Sequence, residues 1–165
     1  MIIVKDNFFS SDVSTLIERG SEAYPWSYYH KSDMGDPTHN KFFVSTLWDK
    51  SSDINFFYLL SKVIQKDVSY LSDCCCWRII ANGQVNGQNA NWHTDHGDKT
   101  ALYFPLTWSQ DWGGSTYFKT EHAETEVKYL QNRLVIFDSN IFHYGSCPHV
   151  DNILRISIAF NWRKM

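Results

Sequence analysis

His93 and Asp95 stand two residues apart in Trp92-His93-Thr94-Asp95, and a further histidine, His143, lies far downstream. Two neutral imidazoles and one carboxylate can hold one face of a metal ion and leave the opposite face open, the ligand set of non-haem Fe(II) centres. His-x-Asp alone discriminates little, because His96/Asp98 and His149/Asp151 repeat it. Side chains alternate along an extended segment, so a strand beginning near Trp92 would send His93 and Asp95 to one face. His143 sits among bulky apolar neighbours in Asn140-Ile141-Phe142-His143-Tyr144, where it can be either a core residue or a third ligand. Arg155 and Ser157 share one face of the otherwise apolar run Arg155-Ile156-Ser157-Ile158-Ala159-Phe160. A buried arginine needs a partner, and its guanidinium fork matches a carboxylate. That partner is either an acidic ligand, with the Ser157 hydroxyl as an extra donor, or a protein acid such as Asp138. His96/Asp98 stays open as a rival ligand pair, with His149/Asp151 read as turn residues.

These groups need a rigid frame, and the chain can supply one. Its 165 residues suit a single domain and bury roughly two-thirds of the unfolded surface. Eleven Phe, nine Tyr and seven Trp fit a strand-rich core. A net charge of -3 gives no reason to expect nucleic acid as a partner. No apolar run approaches the roughly 20 residues needed to span a bilayer, so no membrane association is expected. Cys74, Cys75 and Cys76 are consecutive and Cys147 stands alone, neither a disulfide framework nor a CxxC zinc pattern. They read as small buried hydrophobes, Cys74 and Cys76 on one strand face and Cys75 on the other, in a reducing cytoplasmic compartment.

The spacing predicts a strand over 2–4, then a serine-capped helix with Val13, Leu16 and Ile17 on one face and Gly20 as its stop. The segment 24–41 reads as loop, its Tyr24, Trp26, Tyr28 and Tyr29 either packing on a sheet or forming a flap over a site. A strand over 42–48 follows. Ser51-Ser52-Asp53 can cap a second helix whose stripe is Phe57, Leu60, Ile64, Val68 and Leu71. After Asp73 the period changes. Strands are predicted over 74–81, 100–106, 114–118, 126–129, 133–137, 141–145 and 153–162, the spacing of an all-β sandwich or barrel.

From about Val4 to Trp162 the chain resembles the Fe(II)/2-oxoglutarate-dependent dioxygenases, in their prolyl 4-hydroxylase-like branch. The matching elements are His93-Thr94-Asp95, Tyr103-Phe104-Pro105-Leu106-Thr107-Trp108, Trp112-Gly113-Gly114-Ser115-Thr116, Val135-Ile136-Phe137-Asp138-Ser139, His143 and Arg155-Ile156-Ser157. The resemblance implies a mainly β (α+β) fold, a double-stranded β-helix or jelly roll over 73–165 buttressed by strands and helices of 1–72. It implies His93, Asp95 and His143 as iron ligands, and Arg155, Ser157 and Tyr103 as contacts to the distal carboxylate of 2-oxoglutarate. The cofactor set is then Fe(II), 2-oxoglutarate and O2, and the reaction is hydroxylation of an unactivated C–H bond, in a peptidyl residue such as proline or in a small molecule. Trp112-Gly113-Gly114 would form a tight turn. The chain departs from the family pattern in lacking a tyrosine near Ala81, where Asn82 or Gln84 would supply the hydrogen bond. It departs also in a longer His143–Arg155 interval and in Ser115 where an acid is common. Two other classes remain: a cupin-like metalloenzyme without 2-oxoglutarate, which leaves Arg155 and Ser157 unexplained, and a non-catalytic jelly-roll binding domain. Nothing in the sequence fixes the oligomeric state.

Overall fold

The computed structural model describes residues 1–21, 23–32, 38–121 and 123–165, apart from the Tyr29 side chain. The elements run β1 (Ile2–Lys5), α1 (Ser11–Ser21), β2 (Ser27–His30), β3 (Phe42–Asp49), α2 (Phe56–Asp67) and β4 (Cys74–Gln84). They continue with β5 (Lys99–Phe104), β6 (Thr116–Lys119), β7 (Glu124–Val127), β8 (Arg133–Asp138), β9 (Phe142–Gly145) and β10 (Arg155–Lys164). A seven-stranded sheet in the order β1-β8-β5-β10-β4-β3-β2 faces a three-stranded sheet, β7-β6-β9, and all pairings are antiparallel. The two sheets form the double-stranded β-helix, and the helices pack outside it.

Period-two alternation divides each strand of the large sheet between two cores. On β10, Ile156, Ile158, Phe160 and Trp162 meet the helices, while Ser157 and Ala159 face the barrel. On β5, Ala101 and Tyr103 face the helices, whereas Leu102 and Phe104 join Phe118, Val127, Val135 and Phe137 between the sheets. From the helical side Ile17, Leu60 and Ile64 are buried against the first set. Burial of such side chains stabilises by about 1.5–3 kcal/mol each, which fixes the helices on the sheet.

Several local expectations change. Ser10 starts α1 as predicted, its carbonyl accepting from Ser14 N at 2.9 Å. The start of α2 is instead Asn55, whose side chain accepts from Tyr58 N. The Ser51 and Ser52 hydroxyls expected to cap it are engaged elsewhere, both donating to Asp49 Oδ1, which also accepts from Ser51 N in a turn of its own. Val68 caps the end of the helix, its N–H donating to Ile64 O, and Leu71 belongs to the 3-10 turn Ser69–Leu71 that follows. Part of the segment read as loop is strand, with Ser27–His30 pairing β3. Tyr24 and Trp26 pack against the helix-side core. Residues 33–37 of the same segment lie outside the described residues. Cys74 and Cys76 are buried as expected, but Cys75 is exposed, and all four cysteines are free thiols. No described helix is long and apolar enough to cross a membrane.

Candidate metal centre

His93 and Asp95 lie in the long β4–β5 connection, not in a strand. The connection is nevertheless held extended against the small sheet. His93 N donates to His143 O at 3.0 Å, His143 N returns a bond to His93 O at 2.9 Å, and Asp95 N donates to Ser139 O at 2.8 Å. This isolated bridge places His93 opposite His143 of β9. The alternation argued for a strand therefore operates through three backbone bonds.

The side chains converge. One ligand atom from each of His93, Asp95 and His143 lies within 4.8 Å of the others. His93 Nε2 is 3.8 Å from Asp95 Oδ1 and His143 Nε2 is 3.7 Å from Asp95 Oδ2. Cis ligands of a six-coordinate ion are roughly 3 Å apart, so the three groups would draw closer together to seat one. The Nδ1 of His93 lies 2.8 Å from Asn91 O and that of His143 2.9 Å from Ile141 O. Each Nδ1–H therefore donates to a carbonyl and presents its Nε2 lone pair to the common point. Burial, reinforced by the neighbouring His143, holds the His93 imidazole well below its ordinary range. It is neutral at pH 7, the form a metal requires. Phe137 packs edge-on against the His143 ring, with centroids 4.7 Å apart.

A second set of residues fixes the carboxylate. Thr100 Oγ1 donates to Asp95 Oδ2 at 2.7 Å and in turn lies 3.0 Å from Ser139 Oγ and 3.4 Å from Asn161 Nδ2. The sequence reading missed Thr100; its signal was alternation, since it shares the inward face with Leu102 and Phe104.

Arg155 closes the floor of the same cavity and is 1% exposed. It donates through Nε to Gly114 O at 2.7 Å, through Nη1 to Gln84 Oε1 at 2.8 Å and through Nη2 to Thr116 Oγ1 at 2.9 Å. Ser157 Oγ lies 3.4 Å from Nη1. All these acceptors are neutral. Asp138, the alternative partner, is occupied instead by Lys99, Tyr70 and the N-terminal amine. Among the described residues no carboxylate pairs with Arg155, and burial pulls its guanidinium down to about 10, still charged at neutral pH. Backbone geometry makes room for it: Gly114 has φ +79, and a Cβ there would lie 2.9 Å from Trp108 and 3.3 Å from Arg155 Cδ. This is the expected tight turn at Trp112-Gly113-Gly114.

Tyr103 is not brought to this cavity. Leu102 and Phe104 take the inward positions, so Tyr103 points to the helices, with its hydroxyl 3.1 Å from Ser14 Oγ and 3.2 Å from Asn132 Oδ1. One residue of register decides the matter. No tyrosine lines the cavity among the described residues, and Gln84 is the residue that meets Arg155 where the tyrosine was missing. Asn82 lines the wall beside it, with a buried Oδ1 that lacks a partner. The rival His96/Asp98 pair does not converge: His96 lines the outer recess, while Asp98 Oδ2 accepts from Lys164 N. His149 packs on Gly113 and Asp151 accepts from Asn86 Nδ2, as turn residues do. Ser115 Oγ donates to Glu126 Oε1.

No protein-family profile matches the chain, and no curated protein matches it in sequence. Solved structures do match. An oxidoreductase of the 2OG-Fe(II) oxygenase family from Burkholderia pseudomallei superposes with a TM-score of 0.77 at 12% identity, over 99% of this chain and 85% of that one. A Trichoplax adhaerens prolyl hydroxylase, in complex with a hypoxia inducible factor oxygen degradation domain peptide fragment, gives 0.75 at 15% identity, over 99% and 83%. HygX from Streptomyces hygroscopicus, with nickel, 2-oxoglutarate and hygromycin B bound, gives 0.71 at 9% identity, over 99% and 83%. The fold is that of the 2-oxoglutarate–Fe(II) oxygenases. The donor set fits a divalent ion, and Arg155 in the same cavity, with no acid against it among the described residues, fits an anion.

Proposed function

We propose that the protein is an Fe(II)/2-oxoglutarate-dependent dioxygenase that hydroxylates an unactivated C–H bond. The observation that carries the reading is the buried, acid-free Arg155 in one cavity with the converging His93, Asp95 and His143. His93, Asp95 and His143 are the residues that would hold the iron, with Thr100 orienting the carboxylate. Arg155 would bind the distal carboxylate of 2-oxoglutarate through its fork, and Ser157 would add a hydroxyl. Fe(II), 2-oxoglutarate and O2 together supply the oxidising power for the C–H bond, with release of succinate and CO2. Ile80, Leu102 and Ala159 line the cavity and limit water. Tyr103 has no part in this reading. A cupin-like enzyme without 2-oxoglutarate would leave the Arg155 charge unanswered.

Outside the inner cavity lies a wider recess lined by Phe42, Trp92 and Phe142 among others. We assign the substrate to this recess, as a peptidyl residue, prolyl included, or as a small molecule. His30, Lys31, Ser32 and His39 contribute to its wall, which gives the aromatic-rich segment a part in substrate contact. The unit is read as one domain over 1–165, and the unpaired thiols favour the cytoplasm.

The test is an anaerobic titration of the apoprotein with Fe(II) and then 2-oxoglutarate, following the visible metal-to-ligand charge-transfer band. The wild type is expected to develop the band, His143→Ala to lose it and Arg155→Ala to need far more 2-oxoglutarate. Iron binding without a band would refute the 2-oxoglutarate assignment. Neither iron nor band would refute the enzyme reading altogether.

A further inference from the structure

The barrel face of β4 carries Arg78, Ile80, Asn82 and Gln84 in a row from the mouth of the recess to the floor of the cavity. Gln84 serves Arg155 at the floor. Arg78 stands at the other end, and its presence there depends on a local irregularity. Asn161 pairs with Arg78 but the next residue, Trp162, pairs with Cys76, so Trp77 is an extra residue in the strand. Cys74 and Cys76 face the helix-side core. Without the extra residue Arg78 would follow them there. A bulge that re-aims a side chain beside a site is a positional device, not a defect.

The guanidinium so delivered is under-used. Nε and Nη2 both donate to one atom, Asn161 Oδ1, each at 3.3 Å. Nη1 makes no hydrogen bond, and no carboxylate pairs with Arg78, among the described residues. The Trp77 ring lies 4.9 Å from Arg78 Cζ and 4.3 Å from that of Arg163, so it adds no counter-charge. His30, Lys31, His39 and His96 line the same recess, and the acid among its described lining residues is Asp95.

Asp95 does not answer this charge once the site is loaded as proposed above. A divalent ion held there would balance Asp95 and one carboxylate of 2-oxoglutarate, and Arg155 would balance the other. Among the described residues Arg78 remains as a cation without a counter-charge, facing the substrate recess. We propose that Arg78 anchors an anionic group of the substrate, a carboxylate or a phosphate, whose apolar remainder lies against Trp92, Phe142 and Phe42. This inference rests on the dioxygenase reading for the charge balance, and on the bulge and the idle donor for the residue. The competing role is internal: through Asn161 and Thr100, Arg78 could act to position Asp95.

Calorimetric titration separates these roles. The Mn(II)- and 2-oxoglutarate-saturated protein is titrated with matched probes: benzoate and benzamide, indole-3-acetate and indole-3-acetamide, phenyl phosphate and phenol. A charge-assisted bond predicts at least one acid binding about tenfold or more tightly than its neutral twin. The carboxylate and phosphate pairs show which anion is preferred. Arg78→Gln should erase that difference and leave Mn(II) and 2-oxoglutarate affinities unchanged. Absence of any acid preference, or its survival in Arg78→Gln, would overturn the proposal. A loss of Mn(II) affinity in Arg78→Gln with the acid preference intact would overturn it also, in favour of the positioning role. Should 2-oxoglutarate itself fail to bind, the dioxygenase reading falls, while the acid–amide comparison on the Mn(II)-loaded protein still judges Arg78.

Discussion

Arg155→Ala removes three short hydrogen bonds, to Gly114 O, Gln84 Oε1 and Thr116 Oγ1, and a buried positive charge. The two effects oppose each other in the free protein. Each buried acceptor stripped of its donor costs about 1–3 kcal/mol. Against this, burial drives the guanidinium from its ordinary value of 12.5 down to about 10, a charge penalty on the order of 3 kcal/mol. Three stripped acceptors cost about 3–9 kcal/mol, so after this offset the free protein should still lose roughly 0–6 kcal/mol of stability. Binding has no such compensation, because a two-bond fork to a carboxylate contributes roughly 1.5–3 kcal/mol per bond. At about 1.4 kcal/mol per decade, 2-oxoglutarate affinity should fall by roughly two to four orders of magnitude. The assay is calorimetric titration of 2-oxoglutarate into Mn(II)-loaded protein, with thermal unfolding of the metal-free protein alongside. Unchanged affinity in a folded Arg155→Ala protein would refute the argument that Arg155 awaits an anion. A large loss of stability with unchanged affinity would instead make it a structural tie between β4, β6 and β10.

Thr100→Val deletes the 2.7 Å bond to Asp95 Oδ2 and should weaken metal binding by about 10- to 100-fold, read by chelator competition; an unchanged constant would mean that the backbone alone orients Asp95. Tyr103→Phe removes the hydroxyl that meets Ser14 and Asn132. It should lower stability by about 1 kcal/mol in urea titration with 2-oxoglutarate affinity intact, and a weakened affinity would return Tyr103 to the cavity. Asp138 gives a pH test. Burial raises its carboxyl, but hydrogen bonds from Lys99, Tyr70 and the N-terminal amine outweigh this and hold it at about 2 against an ordinary 3.8. With the folded value below the unfolded one, its contribution is present above about pH 4 and fades as pH falls toward 2. The melting temperature of the wild type should thus drop more steeply than that of Asp138→Asn across this window, and parallel curves would contradict the linkage.

Most of the barrel was legible because its strands alternate cleanly, and the shared face of Arg155 and Ser157 followed from that alone. The juxtaposition of His93 and Asp95 was argued from strand parity, yet the segment is no strand; backbone bonds to His143 and Ser139 impose the same alternation. Three features were illegible for one reason. The inward or outward sense of Tyr103, the inward turn of Arg78 and the strand at Ser27–His30 each depend on pairing register, which a single sequence does not display. Tyr103 was assigned through the resemblance of the segment Tyr103 to Trp108, and a matching segment does not by itself carry parity. Arg78 was hidden by the extra residue at Trp77, since Cys74, Cys76 and Arg78 read as one face until the register shifts. The start of α2 failed differently. Ser51-Ser52-Asp53 has capping chemistry, but Asp49 engages Ser51 and Ser52 first.

The wall of the cavity holds charge and polarity that the protein itself does not answer. Among the described residues Arg155 is charged without an acid, Asn82 Oδ1 is buried without a donor, and Arg78 leaves Nη1 idle. All three sit on adjacent strands, β4 and β10, whose register holds them in line. A buried polar group left unpaired costs free energy in the free protein and loses that penalty when a ligand supplies the partner. The rigid pairing prevents these groups from turning to satisfy one another. Their dissatisfaction is therefore retained until something enters the cavity, and the strands that make the fold stable are also what keep the site unsatisfied and ready.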